Sequence, residues 1–282
     1  MTVVPLDLVK DLRERTGAGM MDCKAALESA GGDIEKAIDI LRKKGLSQAA
    51  KRAGREAKEG FILVRQEGGK AALVEINCET DFVARTDDFK GLGLLALQEV
   101  FARGENGLSA EKVTQRVADL SGKIGEKIMA RRAKVVETKD GTLFTYLHSN
   151  QKLGVIVELS VPNASVKNDP GFQELGKNIA MQVAASNPVC VQRADVPAQV
   201  LEREKAIFRE GTQGKPENII EKIVQGKLGK FYQVSCLLDQ PFIKDDKISI
   251  QELLNQTSKR LGGSSIQIRQ FVRFQLGETL PP

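Results

Sequence analysis

An internal repeat with an offset of 83 positions constrains the fold of this chain more than any other sequence feature. Similar residues recur at this offset in a strand-like segment and again in a helix-like segment. The matched pairs are Val74-Glu75-Ile76 with Val157-Glu158-Leu159, Phe89 with Phe172, Leu92-Gly93 with Leu175-Gly176, and Val100 with Val183. Two copies at so long a period are unlike a solenoid, which stacks many short repeats. The repeat therefore predicts a duplicated α+β unit.

Each copy is predicted to contain a β-hairpin followed by a helix. Short runs of apolar and β-branched residues are typical of strands, and Gly68-Gly69 between the first two runs is typical of a hairpin turn. The predicted elements are strands 61–64 and 71–76 and helix 87–103 in the first copy, and strands 143–147 and 155–159 and helix 172–185 in the second.

Residues 6–54 predict a small helical unit ahead of the repeat. Apolar residues recur at helical spacing in three stretches that glycine-rich turns separate. Asp33 is expected to cap the third helix and Gly45 to end it. Adjacent helix positions cannot both face one core, so we expect one of Met20 and Met21 to face outward.

The remaining segments are predicted to link the copies and to complete the second sheet. Residues 112–132 are predicted to be largely helical. The later elements are predicted as a helical hairpin of 197–209 and 217–229 joined by the turn 211–216, and as strands at 233–238, 242–244 and 266–276. The hairpin either packs on the body or projects toward another chain, and the sequence leaves both alternatives open.

The whole pattern predicts an α+β fold with antiparallel sheets and three domains. We expect a helical N-terminal module at 1–54 and two related core subdomains at 55–140 and 141–280. The helical hairpin, at about 197–229, is expected to be an insertion in the second subdomain. A chain of 282 residues is long enough for this organisation, since a domain commonly has about 150 residues.

Composition predicts a globular protein of the cytoplasm. Hydrophobic residues make up 41% and charged residues 28% of the chain, which excludes a disordered protein. No apolar run approaches the length of a membrane span, about 18 residues. Asp7, Lys10 and Asp11 lie where a signal peptide needs an apolar core. The four dispersed cysteines favour reduced thiols over a disulfide framework.

The sequence shows none of the common catalytic or cofactor-binding motifs. It lacks the phosphate loop, the dinucleotide-binding glycine pattern, the paired-histidine zinc motif and the nucleophile elbow. His148 is the only histidine, and no partner residue for a hydrolase is visible near it in the sequence. We therefore expect a binding protein rather than an enzyme, with no cofactor and no bound metal.

A basic stretch at 42–58 concentrates the net charge. It holds seven lysines and arginines and one glutamate, a local charge of +6, whereas the whole chain carries +5. Such a run fits either a phosphate-bearing or acidic partner, or a solvated helix face or linker. Because the run offers no aromatic residue for base stacking, we favour the helix face or linker. The alternative is a ribosome- or RNA-binding accessory protein whose RNA affinity falls steeply with salt.

Residues 77–84, which we call the corner, directly follow the second predicted strand. Thr80 and Asp81 suit the cap of the next helix. Phe82 and Val83 have two interpretations. Large apolar residues are usually buried, so both would fill the core; alternatively, Phe82 projects and anchors a partner.

Two long segments resemble the signatures of the elongation factor Ts family. The first is 12–27 (LRERTGAGMMDCKAAL) and the second is 75–84 (EINCETDFVA). Shorter similarities continue the match in chain order at 123–126, 179–185, 214–216 and 240–242. Two long signatures at compatible spacing are far more specific than a short motif. The basic stretch is not part of either signature.

The resemblance implies a guanine-nucleotide exchange factor for the GTPase elongation factor Tu, acting in translation elongation. Such a factor binds the GDP-bound form, dislodges its Mg²⁺ and promotes GDP release so that GTP can bind. In the family, the residues that dislodge the ion match Thr80, Asp81, Phe82 and Val83. The resemblance implies neither a nucleic-acid partner nor a membrane.

The resemblance also assigns further contacts with the GTPase. The N-terminal module would be similar to a ubiquitin-associated (UBA-like) domain and would touch the GTP-binding domain. The matching contact residues are Leu12, Arg13, Met20 and Met21 in this module, and Ile124, Gly125 and His148 in the core. Some family members form homodimers through the helical hairpin, so both a monomer and a homodimer stay open.

Overall fold

A computed structural model describes residues 4–52, 54–161, 163–212 and 216–279 of the chain, without the side chains of residues 46–51. Part of the predicted turn 211–216, and with it most of the similarity at 214–216, lies outside the described residues. Within the described ranges, no helix combines the length and the apolar character needed to cross a bilayer.

The N-terminal module consists of three helices, as predicted. They are α1 (Leu6–Thr16), α2 (Met20–Ser29) and α3 (Ile34–Arg52). Gly17 ends α1 in the left-handed conformation, with φ at 66°, which glycine adopts without strain. Asp33 caps α3, since its carboxylate accepts a 3.1 Å hydrogen bond from the Lys36 N–H. Val9, Leu12, Cys23 and Leu27 form the core of this module.

The first sheet unit follows the predicted order and adds a third strand. Its elements are β1 (Glu59–Glu67), β2 (Lys70–Cys78), α4 (Asp81–Ala84), α5 (Asp87–Arg103), α6 (Glu111–Ile124) and β3 (Met129–Glu137). The strands form an antiparallel sheet in the order β1-β2-β3. The prediction of the hairpin and of helix 87–103 is confirmed. The prediction that 112–132 is largely helical is wrong beyond Ile124, where the chain turns into β3.

The second sheet unit repeats this arrangement around an inserted helical hairpin. Its elements are β4 (Thr142–Leu147), β5 (Leu153–Ser160), α7 (Pro170–Ser186), α8 (Ala198–Glu210), α9 (Glu217–Ser235), β6 (Pro241–Phe242), β7 (Asp245–Ser249), α10 (Ile250–Arg260) and β8 (Gln267–Gln275). The antiparallel order β4-β5-β8 matches that of the first sheet, and β6 and β7 pair separately. No residue of α8 is buried, so the hairpin projects from the body.

Two predicted strands are corrected, and one helix was not predicted. The predicted strand 233–238 is the end of α9 followed by a short 3-10 turn. The predicted strand 242–244 is limited to β6. The sequence analysis missed α10, although the reciprocal hydrogen bonds of Ser249 and Glu252 form a capping box that the Ser-x-x-Glu pattern encodes.

Helix α3 also continues past Gly45, where its end was predicted. Glycine lowers helix propensity by only about 1 kcal/mol, which packing can offset. Gly45 faces α6, and a Cβ built on Gly122 would lie 3.6 Å from the Gly45 Cα. Helix α3 therefore lies against α6 at this point, and this packing stabilises the longer α3.

The structure reproduces the 83-residue repeat in three dimensions. Strand β2 corresponds to β5 and α5 to α7, and an irregularity follows Glu75 in one sheet and Glu158 in the other. The rings of Phe61 and Phe89 meet edge to face at 5.0 Å, and the equivalent rings of Phe144 and Phe172 meet at 5.7 Å. The duplicated α+β unit predicted from the sequence is therefore present.

The two sheets face each other across a shared apolar core. The residues between them are Ile62, Ala71, Leu73, Val136, Leu143, Ile156 and Phe274. Helices α5 and α6 cover the outer face of the first sheet, and α7 and α10 cover that of the second. Because one core is shared by both copies, the sheet units form one body, and the boundary at residue 140 stays a prediction.

A buried carboxylate joins the C-terminal segment to the first sheet. Glu75 is fully buried and accepts hydrogen bonds from Arg131 at 2.8 Å, Arg132 at 2.6 Å and the Gly277 N–H at 2.9 Å. Burial alone would raise the pKa of Glu75, but the Gly277 N–H and the two guanidinium groups outweigh it and hold this pKa below the ordinary 4.5. The equivalent Glu158 is held by Thr138, Arg269 and Gln270.

Replacing Gly93 should test how closely helix α5 packs on its sheet. A Cβ at this position would overlap with the Phe61 ring, whereas one at Gly91 on the same helix meets open space. We expect Gly93→Ala to lower the free energy of unfolding by about 1–3 kcal/mol. Gly91→Ala should raise it by up to about 1 kcal/mol. Equal effects of the two substitutions in denaturant unfolding would contradict this packing.

The Glu75 site should make stability depend on pH in a defined direction. Because the folded-state pKa is lowered, the stabilisation is complete above the ordinary value of 4.5 and is lost as the pH falls through the folded pKa. At pH 7, Glu75→Gln should cost about 3–5 kcal/mol, since it leaves two arginines without their carboxylate. Unfolding measured from pH 7 to pH 3 should show this difference shrinking. A difference independent of pH would contradict the assignment.

Candidate functional site

The corner places an aromatic side chain in solvent next to a buried aliphatic one. Phe82 is 78% exposed on the single turn of α4, whereas Val83 is 7% exposed and packs in the core under α5 and α6. The interpretation that both residues fill the core is therefore wrong for Phe82. Val83 therefore supports the corner from inside the protein, because very little of its side chain is exposed.

Glu126 fixes the backbone that leads into α4. Its Oε2 accepts hydrogen bonds from the N–H groups of Glu79 at 3.2 Å and Thr80 at 3.1 Å. Its Oε1 accepts a 2.7 Å hydrogen bond from the Thr80 hydroxyl. One carboxylate thus binds three donors from two consecutive residues.

The end of helix α6 holds Glu126 in place. Gly125 ends this helix in the left-handed conformation, with φ at 84°. The Ser121 hydroxyl donates a 2.6 Å hydrogen bond to the Glu126 carbonyl. The structure therefore brings Ile124 and Gly125 next to the corner, with Ile124 packed partly into the core and Gly125 exposed.

Two threonines cap the helices on either side of Phe82. The Thr80 hydroxyl accepts a 3.4 Å hydrogen bond from the Val83 N–H, and the Thr86 hydroxyl accepts a 3.3 Å one from the Phe89 N–H. The expected cap at Thr80 is confirmed. Asp81 lies on the exposed side of the turn and pairs with Arg85 at 2.7 Å.

Glu79 ties the corner to the linker that follows the N-terminal module. Its carboxylate accepts hydrogen bonds from the Lys127 N–H at 2.5 Å and from Arg55 at 3.3 Å. The Lys127 N–H and, after it, the Arg55 guanidinium hold the pKa of Glu79 below its usual range. The Lys127 ammonium in turn donates to the Arg55 carbonyl at 2.8 Å.

Much of the basic stretch at 42–58 is engaged within the chain. Lys44 pairs with Asp22 at 2.7 Å, and Lys58 pairs with Glu56 at 2.9 Å. Arg52 donates a 3.2 Å hydrogen bond to the carbonyl of Ser121. These contacts, together with that of Arg55, favour the predicted helix face and linker over a surface for RNA.

The N-terminal module offers only part of its predicted contact set to solvent. Leu12 is fully buried in the core of the module, so its side chain cannot touch a partner in this structure. Arg13 is exposed. Met21 is 74% exposed and Met20 is 37% exposed. The expectation that one methionine faces outward is met by Met21, and Met20 is exposed as well.

His148 directly follows β4. This end of β4 lies near the end of the first sheet that leads into the corner. Its Nδ1 is 2.8 Å from the Tyr146 hydroxyl. The turn after it contacts β1, because the Gln151 carbonyl accepts from the Ile62 N–H at 2.7 Å. Lys152 pairs with Glu59 at 2.9 Å, and Glu59 lies opposite the last residue of β2.

The sequence analysis missed the polar residues that support the corner. Glu79, Glu126 and Arg55 meet across 24 to 48 positions of sequence, and no local pattern reports such contacts. The nearest signal in the sequence is the similarity at 123–126. It contains Glu126 but does not show that this side chain binds the backbone of Glu79 and Thr80.

The site offers shape and charge rather than reactive groups. In the part of the chain that the structure describes, no three His, Cys, Asp or Glu side chains converge as metal ligands. A projecting phenyl ring beside an exposed carboxylate, on a backbone fixed by hydrogen bonds, is an arrangement for contact with another protein. Exposed aromatic anchors of this kind frequently dominate protein interfaces.

Comparison with known proteins agrees with this description. The family model for elongation factor TS matches residues 79–278. Elongation factor Ts of Prosthecochloris aestuarii is 46% identical over 95% of this chain and 97% of its own. The corresponding proteins of Nitratidesulfovibrio vulgaris and Aquifex aeolicus are 44% and 43% identical, over 98% and 97% of this chain and 96% and 98% of their own. The chain therefore belongs to the elongation factor Ts family.

Proposed function

We propose that this protein is a guanine-nucleotide exchange factor for elongation factor Tu and acts in the cytoplasm. It binds the GDP-bound GTPase, dislodges Mg²⁺ and promotes GDP release so that GTP can bind. The observation that carries this proposal is the 78% exposure of Phe82 on a corner whose backbone is held by hydrogen bonds. Family membership supplies the class of partner.

The proposed mechanism acts on the ion rather than on the nucleotide. In a P-loop GTPase, Mg²⁺ bridges the phosphates to a Ser/Thr and an Asp of the protein, in an octahedral shell that tolerates little distortion. Phe82 inserts between side chains of the GTPase and displaces the elements that hold this shell. Asp81, beside it, disfavours the Mg²⁺-bound arrangement or holds the shape of the turn through Arg85.

Linkage explains how the proposed factor accelerates release through binding alone. If the factor weakens GDP binding by a given ratio, GDP weakens binding of the factor by the same ratio. Each 1.4 kcal/mol of this coupling free energy corresponds to about a tenfold change in affinity. The exchange factor therefore needs enough additional contact to stay bound while the nucleotide pocket opens.

Other exposed residues supply that additional contact in this proposal. Arg13, Met20 and Met21 provide it from the N-terminal module, and Gly125 and His148 provide it from the core. The buried residues of the predicted contact set support these surfaces from within the protein. They are Leu12, Val83 and the inner part of Ile124.

The helical hairpin is a further contact surface in this proposal, either for the GTPase or for a second copy of the chain. Its helices expose apolar side chains at Val200, Ile207 and Ile219. The proposed domain limits of 1–54, 55–140 and 141–280 place the hairpin within the last domain.

Removing the Phe82 ring should lower exchange without unfolding the protein. Phe82→Ala should slow stimulated GDP release from elongation factor Tu by about tenfold, equivalent to about 1.4 kcal/mol of coupling. Its free energy of unfolding should stay within about 0.5 kcal/mol of the original, because the ring is exposed. Stopped-flow release of a fluorescent GDP measures the rate.

Val83→Ala provides the matched control at the neighbouring position. It should lower the free energy of unfolding by about 2 kcal/mol, because Val83 is buried. If Phe82→Ala stimulates release as fast as the original protein, Phe82 does not dislodge the ion.

A further inference from the structure

We propose that Glu126 is a positioning residue for exchange, because its carboxylate fixes the direction in which Phe82 projects. This inference rests on the proposed function of Phe82. Glu126 itself does not need to touch the GTPase. It acts through the backbone of Glu79 and Thr80, from which α4 begins.

Helix α4 is too short to hold its own orientation. This helix has four residues, Asp81–Ala84, and a single helical turn is unstable by itself because nucleation is costly. Its packing in the core comes from Val83, with Ala84 packed at the margin. Phe82 contributes little packing, since most of its surface is in solvent. The orientation of the turn therefore depends on how its two ends are held.

The two ends of α4 are held by different contacts. At the C-terminal end, the Thr86 hydroxyl donates a 2.8 Å hydrogen bond to the Val83 carbonyl. At the N-terminal end, the three donors of Glu79 and Thr80 all converge on Glu126. Hydrogen bonds to a charged acceptor are stronger than those between neutral groups. Glu126 is thus the stronger of the two attachments.

Glu126 is itself immobilised. The Ser121 hydroxyl holds its carbonyl at 2.6 Å, and Gly125 closes helix α6 just before it. Helix α6 packs in the core through Val113 and Leu120. Glu126 therefore fixes the corner to a helix that is anchored in the core.

Fixed orientation matters because ordering costs binding energy. A mobile Phe82 would spend part of the contact energy on becoming ordered, so less would remain to displace the ion. When Phe82 is already ordered, more of its contact energy with the GTPase is available to displace the ion. Loss of the Glu126 carboxylate should therefore lower the maximal rate of GDP release more than it weakens the encounter between the two proteins.

Glu126→Gln is the sharpest test, since it keeps the size of the side chain. The carboxylate has two acceptor oxygens, but the amide has only one. The NH₂ group that replaces the second oxygen is a donor, so it faces an N–H or hydroxyl donor of Glu79 or Thr80 and cannot bind it. We expect the maximal rate of GDP release at saturating factor to fall about tenfold. The factor concentration that gives half of this rate should change less than about twofold. Glu111→Gln, at the exposed start of the same helix, is the matched control and should change neither value.

Two further measurements separate positioning from a general structural effect. In the unaltered protein, the Thr80 amide should exchange slowly with deuterium, and Glu126→Gln should remove this protection while the amides of β2 stay protected. In a Phe82→Ala background, Glu126→Gln should cause no additional loss of exchange, because residues that act through one another are not additive.

The outcomes distinguish this inference from the proposed function on which it rests. If Phe82→Ala slows release but Glu126→Gln does not, Glu126 has no positioning role. If neither substitution slows release, the proposed function of Phe82 is wrong. Rapid exchange of the Thr80 amide in the unaltered protein would also contradict the inference, and this check requires no variant that might fail to fold.

Discussion

Packing of a phenyl ring on a helix glycine determines how closely each helix approaches its sheet. Phe61 lies against Gly93 in the first unit, and Phe144 lies against Gly176 in the second. This close approach places the start of α5 beside the end of β2. The chain passes from Cys78 to Asp87 through the single turn of α4. Phe82 lies on the outer side of this turn because Val83 takes the inner side.

Polar contacts between distant segments then make the corner a rigid surface. Glu126 fixes its backbone from the end of α6, and Glu79 joins it to Arg55 in the linker. The linker after the N-terminal module, the first sheet and the end of α6 therefore meet at one place. A protein that acts by displacing parts of another needs this rigidity, since a flexible surface would yield first.

The sequence predicted the elements that repeat or alternate, and it failed where distant contacts decide the structure. The 83-residue offset located β2, α5 and their copies β5 and α7. In contrast, β3 carries Arg131 and Arg132 among its apolar residues, and both arginines bind the buried Glu75 of the neighbouring strand. Helix α3 passes Gly45 because a second helix lies against it.

The exposure of Phe82 could not be predicted from the residue pattern alone. The pattern Phe82-Val83 is compatible with two buried residues and equally with one buried and one exposed residue. The turn of α4 decides which side chain faces the core. Leu12 is a second residue whose surroundings the structure decides. The family resemblance placed it in a contact region, but helical spacing alone would have assigned it to the core with Val9 and Leu27.

The central claim is that Phe82 acts through the Mg²⁺ of the GTPase. The most direct test compares GDP release stimulated by the unaltered protein and by Phe82→Ala, first with Mg²⁺ present and then after its removal by a chelator. The account predicts that the difference between the two proteins largely disappears without the ion, because there is nothing left for Phe82 to dislodge. A difference of the same size in the absence of Mg²⁺ would contradict the account.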